Sequence, residues 1–192
     1  MATILPFDEL NTFNERVMEW YAANGNQLKK QDEEDIIDEL LDLLLLAYAR
    51  GNEITLLNLG IEMPVSDSEK PSVEDVLKVV NAKVADKTWR ERVEDWFANG
   101  GTGDDIIRIA ETETHRIANT AALATAKKAG ATTKTWQTML DDKVRDTHYP
   151  LESVTIPIDD DFYTWDDDHA PAPGLFMLPQ NNINCRCELL FS

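Results

Sequence analysis

Apolar residues recur at helical spacing from residue 8 to residue 128, and after Gly130 the pattern changes to short β-like runs. Phe13, Val17, Trp20 and Tyr21 give residues 8–23 one apolar face, and Asn24-Gly25-Asn26 ends that helix. Asp32, Glu33, Glu34 and Asp35 sit where a helix N-terminus favours negative charge, so a second helix is predicted over residues 32–50. Its leucines at positions 43–46 cover more than one face, which suits a central helix or one that meets another subunit. Arg50-Gly51 is expected to close it, with a short helical segment from Asn52 to Leu59 following. Residues 62–71, rich in Pro, Ser and Asp, read as a surface loop.

Ser72 caps a predicted helix over 73–84 with an apolar stripe of Val73, Val76, Leu77 and Val80. A further helix over 86–98 carries Trp89, Val93, Trp96 and Phe97. Asn99-Gly100-Gly101-Thr102-Gly103 is a break. The longest helix is predicted from Asp104 to Lys128, with acids at its start and lysines at its end. At ~1.5 Å per residue it is about 37 Å long. Its buried stripe of Ile106, Ala110, Glu113, Ile117 and Ala121 contains a carboxylate. A buried carboxylate needs a partner, and Arg116 lies one turn on, with Asn119 beyond it. Glu113 is therefore expected to anchor a buried polar network joining this helix to the C-terminal region, where Arg145 and Arg186 are further candidates. The helix's many alanines offer a smooth face for close packing.

Beyond Gly130, residues 132–139 around Trp136, residues 154–158 and residues 185–191 read as strands. Pro157 places the second at an edge. Residues 141–148 form a turn or short helix, and 166–182 a loop. The expected fold class is α+β: a helical N-terminal region, residues 1–100, then residues 101–192 with the long helix packed on a small, mainly antiparallel sheet.

Composition narrows the function. With 18 basic and 36 acidic residues the net charge is −18, and both halves are acidic, which excludes a generic nucleic-acid binder. Any DNA contact would be weak and confined to Lys127, Lys128 and Lys134. The longest apolar run, Leu43 to Tyr48, is far short of a membrane span, and the first residues resemble no signal peptide, so a cytoplasmic origin without membrane association is expected.

Both cysteines lie in Asn184-Cys185-Arg186-Cys187. Residues i and i+2 of a strand face the same way, so both sulfurs can face one site. With His148 they offer soft donors suited to zinc, and Asp142 is a candidate fourth ligand. The alternative is two small buried core side chains. Thiol catalysis by Cys185 with His148 lacks a helix N-terminus beside the sulfur. The Asp runs at 159–161 and 166–168 are acidic loops without EF-hand order. His115 and His169 have no evident partners and read as surface residues.

Ala110-x-Thr112-Glu113-x-x-Arg116-x-x-Asn119, Trp136, Asp142-x-x-Arg145-x-x-His148, Phe162 and Ile183-Asn184-Cys185-Arg186-Cys187 together resemble the phage head morphogenesis family, the Mu F-like minor head proteins. The resemblance covers about residues 100–192, with Glu111 standing where family members commonly carry Arg. It implies a minor capsid protein of the phage head, made in the bacterial host cytoplasm. It also implies partnership with the portal protein and other head proteins, and a role in head assembly and/or DNA ejection. It implies no catalytic residue or resident cofactor, and treats Glu113, Arg116, Asn119, Trp136, Asp142, Arg145, His148, Asn184, Cys185, Arg186 and Cys187 as a structural motif network. The alternative is an enzyme, a nuclease or group-transferase, using His148, Glu113 and Arg145, which requires those groups to converge in one cleft.

Overall fold

The computed structural model describes residues 3–24, 28–61, 71–84 and 86–192. The fold is α+β, as the periodicity predicts. Helix α1 spans Phe7–Ala23, α2 Lys30–Asn58, α3 Val73–Val80, α4 Trp89–Ala98 and α5 Gly103–Lys128. Strands β1 (Thr133–Gln137), β2 (Thr155–Pro157) and β5 (Glu188–Phe191) form one antiparallel sheet in the order β2-β1-β5. Strands β3 (Phe162–Tyr163) and β4 (His169–Ala170) make a separate two-stranded ribbon, and a short helix α6 covers Pro179–Asn182.

Helix starts follow local chemistry. Asp32 accepts from the backbone N–H of Lys29 at the head of α2, and the Ser72 hydroxyl accepts from Asp75 N–H at the head of α3. Thr88 and Glu91 form a reciprocal capping box that starts α4 at Trp89 rather than at residue 86. Asp105 accepts from both the N–H and the hydroxyl of Thr102, which opens α5 and holds the Asp105 carboxyl below its ordinary pKa.

Two boundaries differ from expectation for packing reasons. The predicted stop at Arg50-Gly51 does not occur: α2 continues through Gly51 to Asn58 as one helix of 29 residues. Gly51 is where α2 crosses α5, and a Cβ there would overlap the Ala118 carbonyl and stand 2.9 Å from the Ala121 Cβ. The glycine permits close approach to the alanine face of α5. Helix α3 ends at Val80 instead of residue 84, because Asn81 caps it and also accepts from the Trp89 indole N–H. The predicted loop over 62–71 lies outside the described residues except for Pro71.

Two apolar clusters share α5. The first runs from Ile4 to Ala122 and is built on Ile36, Leu40 and Leu44 of α2, Val17 of α1, Val93 of α4 and Ile106 and Ile117 of α5. Leu43 and Leu44 are buried while Leu45 and Leu46 are half-buried, so α2 is the central helix of that bundle. The second begins at Leu123 and Ala126 of α5 and gathers Trp136, Phe162, Phe176, Cys185, Cys187 and Leu189. In the sheet, Thr135 pairs with Thr155 on one side and with Leu190 on the other. Strand β2, which contains Pro157, is an edge strand. The final strand begins at Glu188 rather than Cys185, and the expected 166–182 loop contains β4 and α6.

The crossing makes a prediction of unusual sign. Gly→Ala inside a helix ordinarily adds up to about 1 kcal/mol of stability. Gly51→Ala should instead cost about 1–3 kcal/mol by overpacking against α5. Denaturant unfolding measures it, and a stabilised Gly51→Ala variant would contradict the crossing.

Candidate functional site

Seven consecutive residues of α5, Glu113 to Asn119, are buried. Polar side chains enclosed in this way are costly unless paired, and four of the five here have partners; the Thr114 hydroxyl is buried without one among the described residues. Glu113 accepts from Arg92 Nη2 of α4 at 2.6 Å and from Arg116 Nε and Nη2 at 2.9 and 2.8 Å. Arg116 also donates to the carbonyls of Val79 and Val80 at 3.3–3.4 Å. Those carbonyls end α3, where a helix presents partial negative charge. Glu113 is buried and paired, but its network joins α5 to α4 and α3 rather than to the C-terminal region. Arg145 and Arg186 are engaged elsewhere. No sequence pattern singles out Arg92, because its side chain reaches Glu113 across a tertiary contact.

The link to the C-terminal region comes from His115 and Asn119. His115 Nε2 lies 2.6 Å from the Cys187 carbonyl oxygen, and Asn119 Nδ2 donates to the same oxygen at 3.3 Å. His115 is 2% exposed, not the surface residue expected. Its i, i+4 spacing with the buried Asn119 was the available signal. Gly174, at φ +82°, packs against His115 so closely that a Cβ would stand 2.9 Å from Nδ1.

Cys185, Cys187 and His148 meet in one buried cluster. The three donor atoms all lie within 4.8 Å of one another. His148 Nδ1 is 3.6 Å from each sulfur. Burial alternates along 185–187, so both sulfurs face inward while Arg186 turns out to Asp141 at 2.8 Å. Asn184, at φ +55°, turns the chain into this run. Arg145 donates to the carbonyls of Gln180 and of Ile183, the latter at 2.6 Å, fastening that turn to the 145–148 segment. The His148 ring lies between Trp136, with ring centroids 5.1 Å apart, and Phe176, at 5.2 Å. Trp136 is fully buried. Asp142 is exposed and outside the cluster.

Electrostatically the two thiols diverge. Burial opposes ionisation of Cys185, but the Cys187 thiol and the adjacent His115 and His148 rings hold its pKa well below the ordinary thiol value. The Cys185 sulfur, then burial, pushes Cys187 up. Burial lowers the His115 pKa, and the Cys185 sulfur more than offsets this, leaving it raised.

The acidic loops satisfy their own backbone. Asp168 is buried and accepts from the N–H groups of His169, Met177 and Leu178 and from Asn181 Nδ2. Asp159 pairs with Lys127, and Asp161 with His169. Lys134 does not belong to a surface basic patch: it is fully buried on β1. Its Nζ donates to the Pro171 carbonyl at 2.7 Å above the Phe162 ring, and burial lowers its pKa to about 8. Among the described residues, no hydrogen bond or ion pair joins Glu113 to His148 or Arg145. The convergence that an acid–base site needs is not formed by these groups.

Glu113→Ala would leave Arg116 buried without its carboxylate and should cost about 3–5 kcal/mol. Glu113→Gln, which keeps one acceptor, should cost less. Urea unfolding of both variants measures this, and wild-type stability in Glu113→Ala would refute the network.

The sequence pattern described as "Phage Mu protein F like protein" matches residues 81–190. Minor head protein GP7 of Bacillus phage SPP1 is 31% identical over 85 residues, which is 43% of this chain and 28% of that protein. The chain thus matches well under half the length of this relative. No solved structure matches the chain. The matched span runs from the end of α3 into β5 and contains Arg92, Glu113, Arg116, His115, Asn119, His148 and both cysteines. The chain belongs to the Phage Mu protein F like family.

Proposed function

We propose that this protein is a minor head protein of a phage, a component of the virion head made in the bacterial host cytoplasm. In this reading it associates with the portal protein and other head proteins and acts in head assembly and/or DNA ejection. The observation that carries the reading is the family match over residues 81–190, supported by the similarity to an SPP1 protein named as a minor head protein.

The surface is consistent with protein partners. Leu140, Trp165 and Met177 are exposed on loops of the C-terminal part, Tyr163 on β3 and Tyr149 at the start of a 3-10 turn over Tyr149–Leu151. Large exposed apolar groups of this kind suit protein contacts. The loops that carry several of them are tied together. Trp165 Nε1 donates to the Asp146 carbonyl, Thr147 donates to Asn181, and Asn181 donates to Asp166 and Asp168. Rigid loops lose little entropy on docking. The charge of −18 keeps the free protein soluble and disfavours extensive contact with packaged DNA. No helix among the described residues is long and apolar enough to cross a membrane.

Co-expression with the portal protein of the same phage, followed by sedimentation of the purified ring, tests the reading. Co-sedimentation at a fixed ratio is expected. A Trp165→Ala/Met177→Ala variant should weaken it at least about tenfold, the effect of losing ~1.4 kcal/mol at an interface. A folded protein that remains at the top of the gradient would refute portal docking.

A further inference from the structure

We propose that His148, Cys185 and Cys187 bind a zinc ion that cross-links the C-terminal strand to the 145–148 turn, with its fourth position facing solvent.

The spacing of the donors carries the argument. Tetrahedral zinc holds sulfur at about 2.3 Å and imidazole nitrogen at about 2.0–2.1 Å. Two such ligands at the tetrahedral angle stand about 3.5–3.6 Å apart. His148 Nδ1 is 3.6 Å from Cys185 Sγ and 3.6 Å from Cys187 Sγ. A hydrogen bond explains this arrangement less well. A hydrogen bond, whether Nδ1–H to sulfur or S–H to an unprotonated Nδ1, has one preferred direction, whereas here two sulfurs are equidistant from one nitrogen.

Charge and surroundings agree. Two thiolates and a neutral imidazole around a divalent cation sum to zero, which is the form of metal complex an interior tolerates best. All three ligand residues are buried. Sulfur and imidazole donors select zinc over hard cations such as calcium or magnesium. The backbone on either side of the ligands is held by outer contacts, while the second ring nitrogen of His148, Nε2, is buried without a hydrogen-bond partner among the described residues. Arg145 holds the Gln180 and Ile183 carbonyls, His115 and Asn119 hold the Cys187 carbonyl, and Trp136 and Phe176 flank the His148 ring.

A small cleft opens onto the cluster and is lined by Lys143, Arg145 and Arg186 as well as the three ligands. With Asp142 outside the cluster, this cleft supplies the fourth ligand as water or as an anionic group drawn by the basic rim.

The test uses the full chain, purified under reducing conditions without a polyhistidine tag or chelator. One zinc per chain is expected by elemental analysis. After chelation, cobalt(II) should restore one equivalent and give the thiolate charge-transfer and tetrahedral d–d bands. Chelation should lower the melting temperature by about 5 °C or more. Cys185→Ser, Cys187→Ser and His148→Ala should each lose stoichiometric metal, while Asp142→Asn should keep it. A wild-type chain that is folded by circular dichroism, yet binds neither zinc nor cobalt with thiolate bands, overturns the proposal without reliance on any variant. So does retention of one zinc in a folded Cys185→Ser/Cys187→Ser protein.

Discussion

Complete enclosure of one stretch of α5 is the constraint on which the other elements depend. From Glu113 to Asn119 every residue is buried, yet five of the seven are polar or charged. Polar groups sealed from water cost several kcal/mol unless they are paired. The helix therefore dictates what surrounds it. The Ala118 side admits α2 through Gly51. Glu113 and Arg116 require Arg92 of α4 and the carbonyl end of α3. His115 and Asn119 require the Cys187 carbonyl and so fix the entry to the last strand. Apolar burial supplies the bulk of the stability, and these polar contacts select one arrangement of the helices and the sheet.

The acidic surplus has a structural use as well as a solubilising one. Carboxylates sit where backbone N–H groups would otherwise lack acceptors. Asp32, Glu91 and Asp105 do this at helix starts, and Asp168 does it in the loop before α6. Asp105 and Asp168 are both held below the ordinary carboxyl pKa, Asp168 despite burial, by the hydrogen bonds they accept. A chain with little regular structure after residue 137 can thereby present aromatic side chains on ordered loops.

The sequence made some of this legible and hid the rest for physical reasons. Helices α1, α2 and α5 were readable because amphipathic periodicity and terminal charge agree over many residues. Gly51 misled because a glycine that ends a helix and one that admits a neighbouring helix look alike until the neighbour is known. The position of Glu113 on a buried face followed from spacing alone, but its partner Arg92 did not, since long-range pairing leaves no local trace. The pairing of both sulfurs with His148 followed from i, i+2 alternation and residue chemistry. Lys134 was misread as a surface cation. On β1 it alternates inward together with Trp136, two residues on, which the period of the predicted strand already implied once Trp136 is taken as core. The Thr88-x-x-Glu91 capping box was visible and would have placed the start of α4 correctly.

The central claim is that α5 couples the helical bundle and the small sheet into one cooperative unit. Native-state hydrogen exchange tests it most directly. Amides of Ile117 to Ala122 in α5, and of the hydrogen-bonded residues of β1 and β5, should open with one common free energy equal to that of global unfolding. Sheet amides that exchange through an opening more than about 2 kcal/mol cheaper, while α5 stays protected, would contradict the coupling.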